Sequence, residues 1–268
     1  MKLSFEVFPP KTGRPSDKLL DTIDGLVDLK PDMMSVTQGA GGTNAGQQKE
    51  VLEYIVHSGV TAMANLTCID KSFKDVDAFV EDMKRIGVKK ILALRGDLPE
   101  GRTDTGGDFQ YGVRLLQYLY EKYPEMELYA PAYPEGHIED GKGFGETAED
   151  ILAEKVRFTR KAISQMCFSR PDLRRFELNN WANNFIGLMP VTSKERILNM
   201  CMKNGVSIPA DLMKLMAKYD GEDFRKAGLD YTVALATYIK YLEPCGLQIF
   251  SMNDADAVEY IVKGAGLR

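Results

Sequence analysis

The chain has 268 residues, of which 44% are hydrophobic and 27% charged, and its formal net charge is −5. This composition lies in the globular range and can bury a sizeable core, which excludes a disordered chain. The charge is spread in mixed signs with no Lys/Arg block to track a phosphate backbone, which excludes nucleic acid as a partner, and no apolar run reaches the ~18 residues that a bilayer span needs.

The chain opens on MKLSFEVFPP, without the apolar stretch of a signal peptide, so the expected location is the cytoplasm. Cys68, Cys167, Cys201 and Cys245 form no C-x-x-C pair, which leaves neither a zinc site nor a disulfide framework and makes buried thiols the expectation. With only His57 and His137 present, metal clusters and Ser-His-Asp schemes find too few histidines, and acid-base chemistry is expected to rest mainly on carboxylates.

Short β-branched segments alternate with helical periodicity from end to end. Strands are expected at Leu3 to Phe8, Met33 to Thr37, Thr61 to Thr67, Lys90 to Leu94, Glu127 to Ala132, Ala162 to Cys167, Phe185 to Met189 and Leu247 to Ser251. Helices are expected at Asp17 to Leu29, Gly46 to Ser58, Phe73 to Ile86, Phe109 to Lys122 and Thr147 to Arg160, with Gly59 and Gly87 as C-terminal glycines and a capping-box spacing from Thr147 to Asp150. The stretch from Ile208 to Glu243 is long enough for two helices or more, entered through Pro209. Eight strand-helix units without a composition break predict an α/β fold, a (β/α)8 TIM barrel forming one domain over residues 1–268.

Chemistry in such a barrel collects where the strands end. Polar residues fall there on nearly every strand: Glu6, then Thr37 and Gln38, Asn65 and Thr67, Arg95 and Asp97, Tyr133 and His137, Gln165, and Asn253. Glu6 is the sharpest signal, a carboxylate inside the apolar run Ser4-Phe5-Glu6-Val7-Phe8-Pro9-Pro10. Desolvation there would raise its pKa toward that of a general acid, and the alternative is a rim glutamate paired with Lys or Arg. Arg95-Gly96-Asp97 is either a local ion pair or a carboxylate facing a cofactor. The glycine-rich run from Gln38 to Asn44 matches neither a Rossmann nor a P-loop spacing, and Gly141 to Gly145 is either an amide cradle for phosphate or a loop.

Five segments in order resemble the methylenetetrahydrofolate reductase family: Ser4-Phe5-Glu6-Val7-Phe8-Pro9-Pro10-Lys11, Ser35-Val36-Thr37-Gln38-Gly39-Ala40-Gly41-Gly42, Asn65-Leu66-Thr67-Cys68, Leu92-Ala93-Leu94-Arg95-Gly96-Asp97-Leu98-Pro99 and Ala132-Tyr133-Pro134-Glu135-Gly136-His137. The resemblance implies a flavin enzyme with FAD as cofactor that takes electrons from NADH or NADPH and reduces methylenetetrahydrofolate to methyltetrahydrofolate, in one-carbon metabolism and methionine synthesis. It implies Glu6 as the general acid that opens the folate ring, Asp97 between flavin and folate, and Gln165 on the folate. Thr37, Gln38, Asn65, Arg95, Gly96, Tyr133, His137 and Lys155 would line the flavin site. The family usually carries His in place of Asn65 and Tyr in place of Gln38, and a basic residue is expected where Asp254 stands. These departures raise an alternative, a folate- or flavin-binding subunit fed with electrons by a partner protein. An unrelated barrel lyase would need a strand-end lysine or a metal cluster, and neither is evident. The family precedent favours an oligomer.

Overall fold

The structure is a computed structural model that describes residues 1–39, 45–98, 101–102, 104–137, 148–179 and 183–268. Eight parallel strands close into a barrel in sequence order, and β8 hydrogen-bonds back to β1. They are β1 (Lys2–Val7), β2 (Met33–Val36), β3 (Ala62–Thr67), β4 (Lys90–Leu94), β5 (Glu127–Ala132), β6 (Lys161–Met166), β7 (Asn183–Leu188) and β8 (Gly246–Phe250). The helices are α1 (Asp17–Asp28), α2 (Ala45–His57), α3 (Phe73–Arg85), α4 (Gly112–Lys122), α5 (Ala148–Lys155), α6 (Arg170–Asn179), α7 (Lys194–Asn204), α8 (Ala210–Lys218), α9 (Gly221–Tyr241) and α10 (Ala255–Gly264). The expected (β/α)8 barrel is therefore present, and the region after Pro209 holds the pair α8 and α9. Among the described residues no helix is long and apolar enough to cross a membrane.

Local chemistry sets the element ends. Ser16 and Ser193 cap α1 and α7 through their hydroxyls, and Ser72 with Asp75 forms a reciprocal capping box on α3. Gly59 and Gly87 turn the chain after α2 and α3 at φ 81° and 85°, a conformation that L side chains resist. The helix expected from Phe109 starts instead at Gly112. Phe109 is buried edge-on against Phe73 and Tyr118, and Gly112 lies so close to β4 that a Cβ there would meet the Arg95 nitrogen at 2.9 Å. The helix expected to reach Arg160 ends at Lys155, because the Thr159 hydroxyl donates to the Leu128 carbonyl at 2.6 Å and draws the chain toward the sheet. Thr147, with its proposed capping role, and Gly141 to Gly145 lie outside the described residues, as do positions 40 to 44 of the first glycine-rich run. Cys68, Cys167 and Cys201 are buried as expected, whereas Cys245 is exposed in the turn that leads into β8.

Strand alternation sorts side chains into two cores. Outward residues such as Leu3, Phe5, Val7, Leu247 and Ile249 pack under the helices. Inside the barrel, Met33, Met63, Leu92, Tyr129, Ile163 and Phe185 form an apolar layer. The strand starts close it below: Lys90 and Lys161 meet Glu127 at 2.5 and 2.8 Å, and the Tyr129 hydroxyl donates to the same carboxylate at 2.8 Å. Burial works against ionisation of Glu127, but the two lysines and Tyr129 outweigh it and hold the group at about 2.

One helical side chain ties the sheet to the other end. Gln48 of α2 is fully buried, and its amide donates to the Val36 carbonyl at 3.0 Å and the Asn65 carbonyl at 2.7 Å. Gln48→Leu keeps the volume and removes both donors, so it is expected to cost about 1–3 kcal/mol, read as a lower urea midpoint at unchanged slope. An unchanged midpoint would show that these strand-end carbonyls do not depend on Gln48.

Candidate active site

Above the apolar layer the barrel interior turns polar. Glu6 and Ser4 of β1, Ser35 of β2, Asn65 of β3 and Gln248 of β8 share the inward register, because their neighbours along each strand face the helices. Asn65 Nδ2 donates to Glu6 Oε2 at 3.0 Å, and the Ser35 hydroxyl donates to the same oxygen at 3.4 Å. Gln248 Nε2 in turn donates to Ser35 Oγ at 2.8 Å. The expectation of a desolvated acid is met, since burial raises the Glu6 pKa from the ordinary 4.5 to about 7 against the opposing pull of Asn65 and Ser35. No Lys or Arg pairs with this carboxylate among the described residues, which removes the rim-glutamate alternative.

The backbone beside Glu6 is fixed from the opposite end of the chain. The Ser251 hydroxyl donates to the Glu6 carbonyl at 2.5 Å, and Asn253 brackets Phe8, accepting from its nitrogen at 3.1 Å and donating to its oxygen at 2.9 Å. Met252 and Asn253 hold left-handed φ angles of 54° and 53° to make this clamp.

The remaining residues proposed from the sequence lie at the ends of β2 to β6 and on α5. Gln38 is buried and turned toward β3, where its Oε1 accepts from both the Thr67 nitrogen and hydroxyl at 3.0 Å. Thr37 follows β2 with its amide bonded to the Val7 carbonyl at 3.0 Å. Arg95 folds over its own loop, Nε to the Gly96 carbonyl at 3.2 Å, and Gly96 sits at φ 90° against Thr67. Tyr133 and His137 meet edge-on with ring centroids 4.6 Å apart. Lys155 is 6% exposed, donates to the Pro131 carbonyl at 3.1 Å and lies 5.5 Å from the centre of the Tyr133 ring. The Tyr133 ring, His137 and Lys155 thus gather at one side of the mouth, with Arg95 following the neighbouring strand β4. This set of cationic donors and a flat ring suits a planar ligand that carries phosphate.

Two assignments acquire partners that the sequence did not suggest. Asp97 is 67% exposed and pairs with Lys203 of α7 at 2.7 Å. The ion pair that Asp97 makes is therefore not local to Arg95-Gly96-Asp97 but reaches across from α7. Gln165 sits at a bulge in β6, its Oε1 accepting from the Met166 nitrogen at 2.9 Å and its Nε2 donating to Asn204 at 3.0 Å. Asp254, where a basic residue was expected, caps α10 and pairs with Arg225 of α9 at 3.0 Å. Ser35 and Gln248 were missed. The available signal was a polar residue between apolar neighbours in the register of Glu6, Ser35 between Met34 and Val36 and Gln248 between Leu247 and Ile249.

The model of the methylenetetrahydrofolate reductase family matches residues 1–266. Methylenetetrahydrofolate reductase 2 of Schizosaccharomyces pombe is 30% identical over 98% of this chain, which spans only 45% of that protein's length. The 5,10-methylenetetrahydrofolate reductases of Buchnera aphidicola and Escherichia coli are each 27% identical over the whole chain and 92% of their own. Among solved structures, a Clostridium thermocellum protein described as binding two copies of 5-methyl-5,6,7,8-tetrahydrofolic acid aligns with a TM-score of 0.63 at 13% identity, over 98% of this chain and 93% of that one. At that identity the likeness concerns the barrel alone. Fold, ordered strand-end motifs and a match along nearly the whole length agree: the chain belongs to the methylenetetrahydrofolate reductase family.

Proposed function

We propose that this barrel reduces 5,10-methylenetetrahydrofolate to 5-methyltetrahydrofolate with FAD as cofactor and NADH or NADPH as electron source. The observation that carries the reading is Glu6, a carboxyl that burial holds near neutrality at the end of β1 and that no cation neutralises among the described residues. Such a group is protonated in a useful fraction of molecules at physiological pH and can protonate the nitrogen that leaves as the folate ring opens. Ring opening breaks one carbon–nitrogen bond, moves the Glu6 proton to the departing nitrogen and leaves an iminium carbon. A hydride then completes the methyl group.

A flavin would be held by Arg95, Gly96, Tyr133, His137 and Lys155, together with Thr37 at the end of β2. When bound, it supplies the hydride chemistry that no side chain of this protein can perform. Lys155 is fixed by the Pro131 carbonyl and Tyr133 by His137, so the donors are oriented by the barrel before any ligand arrives. Asn65 and Gln38, which the resemblance also assigns to the flavin site, are already held by protein partners. Asn65 turns its amide to Glu6, and Gln38 turns its own to Thr67 and to Gln48 of α2. Asp97 and Gln165 would meet the folate, Asp97 after exchanging its contact with Lys203 for one to the pterin.

Glu6→Gln keeps the shape of the acid and removes its proton. It is expected to lower folate reduction by roughly 10²–10⁴-fold while flavin reduction by the nicotinamide stays within a few-fold of the parent, as measured by anaerobic half-reactions. Equal loss of both half-reactions would contradict the assigned role.

The same carboxyl gives a stability signature. Its pKa is higher in the folded state, so the folded protein binds the proton more tightly, and this contribution is complete below pH 4.5 and lost as the pH rises to about 7. Denaturant titrations should show Glu6→Gln gaining on the parent through that window, by on the order of 3 kcal/mol, and level above it. A stability difference independent of pH would mean that Glu6 is not desolvated.

A further inference from the structure

The hydrogen bonds around Glu6 all run in one direction. Gln248 Nε2 donates to Ser35 Oγ, which leaves the single Ser35 hydrogen for Glu6 Oε2. Asn65 Nδ2 donates to the same oxygen. Glu6 Oε1 accepts from no described residue and Glu6 is only partly buried, whereas Asn65 Oδ1 and Gln248 Oε1 are fully buried without a partner. One oxygen of the carboxyl is committed to donors inside the barrel, and the other is left uncommitted among the described residues.

We infer that Asn65 is a positioning residue for the acid: by donating to Oε2, with Ser35 and Gln248 behind it, it confines the Glu6 proton to Oε1, the oxygen that can reach a substrate. An oxygen that already receives two N–H or O–H hydrogens cannot also carry its own without turning a donor away. The Asn65 contact at 3.0 Å is the stronger of the two, and the Ser35 contact at 3.4 Å lies at the long end for a hydroxyl, so Asn65 dominates. Its backbone is pinned as well, since the Asn65 carbonyl accepts from Gln48 at 2.7 Å.

The arrangement also sets acid strength. Both donors favour the carboxylate and burial opposes them, and no charged side chain contributes to the balance at Glu6 among the described residues. Asn65 thus keeps Glu6 from becoming too weak an acid to give up its proton.

This inference rests on Glu6 being the proton donor, but its test needs neither folate nor flavin. The carboxyl C=O stretch of Glu6, assigned by its loss in Glu6→Gln, can be followed by infrared pH titration of the protein as isolated. Asn65→Leu removes the donor and should move the Glu6 midpoint upward by about one unit. Ser35→Ala should move it the same way by less, and Asn65→His, which restores a ring N–H, should bring it back toward the parent. A downward shift in Asn65→Leu would overturn the inference, because it would mean that Asn65 accepts the proton from Oε2 and stabilises the neutral acid. An unchanged midpoint in both Asn65→Leu and Ser35→Ala would overturn it too. If Asn65→Leu does not fold, Ser35→Ala alone decides by the sign of its shift. Should the titration behave as expected while Glu6→Gln reduces folate normally, the network would stand and the catalytic reading would fall.

Discussion

The site depends on a carboxyl placed inside a barrel that is otherwise closed by apolar and paired side chains. Glu6 gives up much of its water for two hydrogen bonds, one of them long, and receives no counter-charge among the described residues. A buried carboxylate in that position costs several kcal/mol, so the neutral form is favoured and the midpoint moves toward 7. The contrast with Glu127 at the other end of the same barrel makes the point. That carboxylate has two lysines and a tyrosine around it and is held at about 2. One end of the barrel is a closed ionic plug, and the other keeps a proton available.

The scaffold holds this costly group from three directions. Strand pairing puts Glu6 beside Ser35 on β2 and Phe250 on β8. The Ser251 and Asn253 turn clamps the backbone on either side of Val7, and Gln48 joins the ends of β2 and β3 so that Asn65 is carried in register. The mouth is also crossed by pairs that link distant elements, Lys203 to Asp97 and Arg225 to Asp254. These pairs are at least partly exposed and contribute little to stability. Their effect is on the charge of the entrance, where Lys203 faces Asp97 and the basic character expected near the last strand comes from Arg225 of α9, already matched by Asp254.

Much of the fold was legible in the sequence because a parallel barrel writes itself as a period-2 run followed by a 3.6-period run, repeated. All eight strands fell within about one residue of expectation at the ends that carry the site. The errors were local. Gly112 begins α4 because the chain before it is pressed against β4, and Lys155 ends α5 because Thr159 is tied to β5, and neither contact has a local signature. Glu6 was legible because a charge in an apolar strand is anomalous on its own. Asn65 was read from the family pattern as a cofactor residue, whereas its amide meets Glu6, 59 positions away in the chain. Gln248 reaches Ser35 across 213 positions, and only closure of the barrel brings them together.

The central claim is that this barrel carries electrons from a nicotinamide to a folate through a bound flavin, with Glu6 supplying the proton. The most direct measurement is the visible spectrum of the purified protein under nitrogen, before and after reduced nicotinamide and then with methylenetetrahydrofolate. The account predicts a yellow protein that bleaches with the nicotinamide and regains its colour when the folate is added. A protein that binds no flavin even after reconstitution, or one that bleaches and stays bleached with the folate present, would contradict it.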